Sequence, residues 1–287
     1  MKLFTSTGNK ETRSHLGGTK QSKTRKRMLS FLGLLFAIFV FVPSSMQAQH
    51  PYGFMDGNVL SAGELDWENV YNNTGLPAGS IATFIFDGKA PDSIYTGGNT
   101  KDHLPINGPN ASNSWQWTPS IGSSSDKTNI QEAGAILIGG KIYFFGNKFA
   151  AEGTTTIGFW FFQDFVGPIS GGRFSGEHQL GDILVVADIA NGGAVNTINA
   201  YQWVGEGNGS VPASSKSLNE IGADGTKLAA FVNTFAEPTP WLHQSKNVEA
   251  NIMPPQTFIE GFIDIVALNL NVNACYSSFL VETRSSN

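Results

Sequence analysis

The stretch Ala135-Ile136-Leu137-Ile138-Gly139-Gly140-Lys141-Ile142-Tyr143-Phe144-Phe145 decides the fold. Two runs of β-branched, aliphatic and aromatic residues are separated by two glycines, and a Gly-Gly loop supplies the positive φ angles that a tight hairpin needs. The stretch therefore predicts two antiparallel strands joined at Gly139-Gly140. Outward from it, short apolar runs keep alternating with Gly, Asn, Ser and Pro clusters, and 3.6-residue patterns are nearly absent. Such spacing is the signature of a sandwich or barrel. Further strands are expected over 81–86, 114–118, 155–163, 181–189, 195–204, 257–265 and 276–283. Asn191-Gly192-Gly193 reads as a tight connection, and Asp87-Gly88, residues 205–209 and Asp224-Gly225 as loop tips. Residues 64–71 read as a short helix or capped turn, and 228–235 as either helix or strand. Pro238, Pro240, Pro254 and Pro255 mark an irregular passage over 236–256. The expected fold is all-β, a jelly-roll-like two-sheet β-sandwich, with residues 50–287 forming one domain.

Sandwich strands usually alternate, because one face is buried and the other is wet. The run Phe159-Trp160-Phe161-Phe162 does not alternate. Two of these aromatic residues must point away from the inter-sheet core. They are covered by a long loop or by the 236–256 passage, form an exposed platform for stacking on sugar rings, or make a protein-binding surface. Trp115, Trp117 and Trp160 are the candidates for such stacking.

The chain also carries an address. Lys26 and Arg27 precede an unbroken apolar run over 31–42, Pro43-Ser44-Ser45 breaks it, and Met46-Gln47-Ala48 offers a small residue for cleavage. This is the layout of a cleavable export signal over 28–49. A membrane span needs about 20 apolar residues, so the run is too short to be one. Residues 1–27 are polar and basic, either a leader extension or a misassigned start with Met28 as initiator. The expected location is extracellular, at the cell surface.

Charge follows the same division. Of 18 Lys and Arg, eight lie at or before Arg27, and of 23 acids only Glu11 does. Residues 50–287 keep 10 basic and 22 acidic groups, a net charge of −12. That field repels phosphate backbones and anionic membranes, which excludes nucleic acid as a partner. The lone Cys275 allows no internal disulfide, and it reads as a buried small hydrophobe.

The chemistry-bearing motifs are absent. No H-E-x-x-H, C-x-x-C, G-x-S-x-G or P-loop occurs, and His50, His103, His178 and His243 are not at metal-ligand spacing. Glu177 and His178 are adjacent and would point to opposite faces of a strand. A glycosidase needs only a suitably separated carboxylate pair, and 22 acids nominate none. Acids in polar loops suit Ca2+, which takes oxygen ligands, and Asp87, Asp92 and Asp102 are the candidate set. Asn72, Asn110 and Asn208 head N-x-S/T sequons, read only as loop exposure.

Several segments together carry a resemblance. They are Gly158-Phe159-Trp160-Phe161, Phe174-Ser175-Gly176-Glu177-His178, and Gly181-Asp182-Ile183-Leu184-Val185-Val186-Ala187-Asp188. Asn191-Gly192-Gly193, Ala200-Tyr201-Gln202-Trp203 and the tail from Cys275 to Ser286 follow in order. The series resembles the N-terminal β-sandwich region of large secreted, adhesin-like surface proteins of bacteria with type IX secretion. The resemblance implies a leading surface module with no catalytic residues. It also implies a further strand after Glu282-Thr283-Arg284-Ser285-Ser286, so the chain reads as a fragment of a longer product. The expected function is non-catalytic, in adhesion or surface structure. The alternatives are a carbohydrate-binding module and a secreted glycan-active hydrolase, with a surface glycan or protein as ligand.

Overall fold

The expected hairpin forms, and Gly139 and Gly140 take φ angles of 59° and 77°. The computed structural model describes residues 52–87, 93–95, 101–108, 113–119, 125–191, 193–209, 217–222 and 225–284. The leader, Asp92 and the sequon at Asn110 lie outside the described residues.

In chain order the strands are β1 (Ile81–Phe86), β2 (Ser93–Tyr95), β3 (Trp117–Pro119), β4 (Ile130–Ile138) and β5 (Lys141–Lys148). Next come β6 (Thr155–Phe162), β7 (Gly167–Ile169), β8 (Arg173–Ser175), β9 (Ile183–Ile189) and β10 (Val195–Trp203). They end with β11 (Leu218–Gly222), β12 (Leu228–Val232), β13 (Glu237–Pro238), β14 (Ile252–Met253), β15 (Phe258–Asp264) and β16 (Ser278–Arg284). A helix, α1 (Trp67–Asn72), precedes them. Asp66 caps it by accepting the Trp67 N–H, and Asn69 reaches back to the Asp66 backbone in a capping box. Among the described residues no helix is long and apolar enough to cross a membrane.

Ten strands build two antiparallel sheets, ordered β1-β4-β5-β15-β12 and β11-β10-β9-β6-β16. They form the β-sandwich. Successive strands mostly pair as meanders, and the chain changes sheet after β5, β11 and β15. This order differs from the two Greek keys of a jelly roll. Residues 228–235 resolve as the strand β12, with its partner β15 in register from Leu228↔Ile263 to Val232↔Ile259.

The inter-sheet core is built by the inward register of each strand, with Phe144, Phe159, Phe161, Val185 and Ile259 fully or nearly fully buried. Phe144 meets Phe159 at a ring separation of 4.5 Å. Two strand glycines make that approach possible. A Cβ on Gly261 would sit 2.5 Å from the Phe144 ring and 2.8 Å from the Ala229 carbonyl oxygen. A Cβ on Gly146 would sit 2.9 Å from Ile157. Glycine in a strand interior costs order, and here Gly261 admits the Phe144 ring of the neighbouring strand while Gly146 admits Ile157 from the sheet opposite.

Gly261→Ala is expected to destabilise the fold by roughly 2–4 kcal/mol, because the backbone oxygen cannot yield to the new methyl. Urea unfolding of both proteins checks this. An unchanged midpoint would show that Phe144 has another rotamer available.

Candidate functional site

Each sheet carries an apolar cluster on its outer face as well. On β6, Phe159 and Phe161 join the inter-sheet core while Trp160 and Phe162 point outward into a second cluster with Ile106, Trp115, Phe174 and Trp203. Residues 101–108, residues 113–117 and β8 cover them. A second cover, residues 52–71 with Trp241 and Met253, lies on the outer face of the other sheet, against Tyr143, Phe145, Phe258 and Phe262. The 236–256 passage therefore covers the sheet opposite β6, and residues 101–108 and 113–117 hide the aromatic run.

This placement corrects two of the stacking candidates. Trp115 and Trp160 are 0% exposed and meet edge-on at a ring separation of 5.4 Å, so neither offers a face to a sugar. Trp117 differs. It is half-buried, its indole N–H is held by the Ile169 and Arg173 carbonyl oxygens, and its ring lines a groove. Cys275 is also corrected. It is exposed, and its neighbours Ala274 and Tyr276 occupy the buried positions.

The groove beside Trp117 is about 640 Å³ in volume. It opens where the edge strands β1 and β16 face each other and the sandwich is not closed. Ile85 of β1, Ile130 and Ala133 near the start of β4, and Phe279 to Val281 of β16 form its floor. Pro168, Ile169, Phe174 and Trp117 form its wall. A smaller hollow of about 260 Å³ continues along the same seam and shares Phe279. Ligand sites typically run from about 300 to 1,000 Å³ with apolar walls, and the larger groove fits that range. Sequence reading missed it because its residues come from six separated strands.

The calcium candidates do not assemble. Asp102 is buried and accepts from Arg284 Nη2 at 2.7 Å, while Arg284 Nε donates to Glu282 at 2.7 Å. The guanidinium therefore takes up the charge that calcium would need. Gly158 leaves room for this pair, since a Cβ there would lie 2.9 Å from both Arg284 Nε and Glu282 Oε1. Asp87 is exposed at the end of β1, and Asp92 lies outside the described residues. Among the described residues no group of three or more His, Cys, Asp or Glu can hold a metal.

Two polar constellations are buried that no sequence spacing announces. In the first, His243 Nδ1 lies 2.9 Å from a Glu132 oxygen and Nε2 lies 2.7 Å from Ser245 Oγ. The order acid, imidazole, hydroxyl is that of a relay which activates a serine nucleophile. Yet Ser245 is 4% exposed, and neither it nor His243 lines the groove. Burial raises the Glu132 carboxyl above its ordinary range, with the His243 hydrogen bond pulling it back. The relay ties the 236–256 cover to β4. His243→Ala leaves Glu132 buried without this partner and is expected to cost roughly 2–4 kcal/mol. Chemical denaturation checks it, and a cost no larger than that of Ser245→Ala would remove the relay's role.

In the second, Glu260 accepts hydrogen bonds from the Gly57 N–H and the Trp67 indole, beneath α1. Burial, then the neighbouring charges of Asp66 and Asp56, pushes Glu260 well above the ordinary carboxylate range. Burial, then Asp56, pushes Asp66 up to about 8. A folded-state pKa above the unfolded one gives stability that is fully present below about 4 and lost as pH rises through about 8. His178 tilts the other way below about 6.5, since burial lowers its pKa although Asp182 holds its Nδ1 at 3.2 Å. The thermal midpoint is expected to fall between pH 6.5 and 8, and Asp66→Asn, which keeps a capping oxygen, should flatten that fall. A wild-type midpoint that rises over the window would refute it.

Comparison with protein-family models, with curated proteins and with solved structures gives no match.

Proposed function

We propose that this protein is a non-catalytic binding module of an exported cell-surface chain, and that its contact site is the apolar groove between β1 and β16. The groove itself carries the reading. It is a concavity of ligand-binding size, walled almost wholly by aliphatic and aromatic side chains, at the one seam where inward positions are exposed: Ile81 at 46% and Ile85 at 36%. Apolar surface of that kind marks a contact face. The leader pattern over 28–49 and the resemblance to adhesin-like surface proteins support the location. A hydrolase has less support, because the acids that line the groove are Asp87 and Glu132, and Glu132 is tied to His243.

A carbohydrate-binding module is the second reading, and Trp117 is what favours it, as an aromatic ring in the groove wall. Its indole N–H is already bonded to two carbonyl oxygens, so only the ring face would serve.

Nile red, a neutral apolar dye, is expected to bind the purified protein in the groove, and Ile85→Glu should weaken that binding by about tenfold or more. Ile85 is partly exposed, so the thermal midpoint should move little. Dye binding indifferent to Ile85→Glu would sink the groove reading. Binding on a glycan array that Trp117→Ala abolishes would replace it with the second.

A further inference from the structure

The seam has a property that a plain apolar pocket lacks: strand edges line it. Consecutive residues of a strand point to opposite faces, so a hollow over one face is lined by alternate residues. Here Phe279, Leu280 and Val281, three in a row, line the larger groove. Ile81, Ala82 and Thr83 on one side and Ser277, Ser278 and Phe279 on the other line the smaller. Both hollows therefore run along the edges of β1 and β16. Among the described residues β1 pairs only with β4, and β16 only with β6. Each edge keeps a row of backbone N–H and C=O groups facing the seam.

We propose that the seam takes one extended peptide strand from a basic partner protein, which pairs with the free edge of β16 and seats alternate apolar side chains in the two hollows. This rests on the reading of the groove as the contact site. β16 is the template because three of its consecutive residues border the larger hollow, whereas β1 gives that hollow Ile85 alone. Strand addition of this kind takes its affinity from main-chain hydrogen bonds and its selectivity from pockets for alternate side chains. Charge selects the occupant. The lining holds the exposed Asp87 and no Lys or Arg, and residues 50–287 carry 22 acids against 10 bases. A second copy would bring the same negative field to the seam, whereas a strand flanked by Lys or Arg complements it.

The probe is a seven-residue peptide of alternating Val and Thr with Lys at both ends, matched to the length of β16. Binding is followed by calorimetry and by amide hydrogen exchange of the purified protein. The expected result is saturable binding with slowed exchange at those amides among Phe279, Leu280 and Val281 that face the seam and not β6. N-methylation of the peptide at alternate amides, in the phase that faces β16, should weaken binding by about tenfold or more while keeping every side chain. Equal binding of peptides methylated in either phase would overturn strand pairing, as would unchanged exchange in β16. Nile red that binds while the peptide does not defeats the strand and spares the groove. Failure of both defeats the groove as well. Slowed exchange in β16 on self-association, without peptide, would assign the seam to a second copy.

Discussion

Phe159 and Trp160 are neighbours in the chain and bury on opposite sides of one strand, and the architecture follows from that constraint. A sheet apolar on both faces cannot stop at a two-layer sandwich, because the outer face would remain a large greasy surface. Both sheets here have that character, so both need a cover. The covers come from connecting segments, residues 52–71 and 236–256 on one side and residues 101–108 and 113–117 on the other. The result is four layers from a chain that spends few residues on helix. Covers lie over faces and leave edges alone, and so the seam at β1 and β16 remains.

Covers made of loops bring polar backbone and side chains into the interior, where each must find a partner. The buried acids answer that need. Glu132 binds His243 under one cover, Glu260 takes the Gly57 N–H and the Trp67 indole under the same one, and Asp102 meets Arg284 under the other. A buried ion pair adds little net stability over a well-packed apolar contact, yet removing one partner is severe. These contacts act as registration pins: apolar rings would let a loop slide over a sheet, and a paired carboxylate permits one position. The Glu132–His243–Ser245 relay belongs to that set. Its resemblance to hydrolytic machinery is one of hydrogen-bond order, and it lies enclosed under the cover.

What the sequence made legible was local. The Gly-Gly turn, the capped helix and most sandwich strands depend on residues a few positions apart. Most strands stand within a residue or two of where the pattern put them, while α1 starts three residues later and β4 five residues earlier than expected. Residues 218–222, Leu-Asn-Glu-Ile-Gly, carry too little apolar alternation to announce β11, whose pairing with β10 supplies the reason to be a strand. The run at 159–162 gave the correct deduction that two rings leave the core, without saying which loop would meet them. Trp115 and Trp160 then became core because Trp115 lies against Trp160 and Phe162 of β6. The pins were illegible for a simple reason: Glu132 and His243 are 111 residues apart, and Asp102 and Arg284 are 182 apart. No spacing rule reaches that far. Cys275 shows the converse, a residue whose type suggests burial while its position between two inward neighbours turns it out.

The seam also departs from the usual management of sheet edges. Exposed edges are normally blunted by lysine, proline, bulges or inward-pointing charge. β1 reads Ile-Ala-Thr-Phe-Ile-Phe with no charge at all. β16 carries Glu282 and Arg284, but both are buried and spend their charge on each other and on Asp102. Neither edge has a gatekeeper of its own. The protection is global, from a surface with more than two acids for every base, which keeps like molecules apart and leaves the edge open to an unlike one. Self-pairing is discouraged by field and not by shape, so the two flat, apolar edges stay competent to pair. A fold that wanted these edges closed needed one lysine on β1. Its absence is consistent with an edge kept for use.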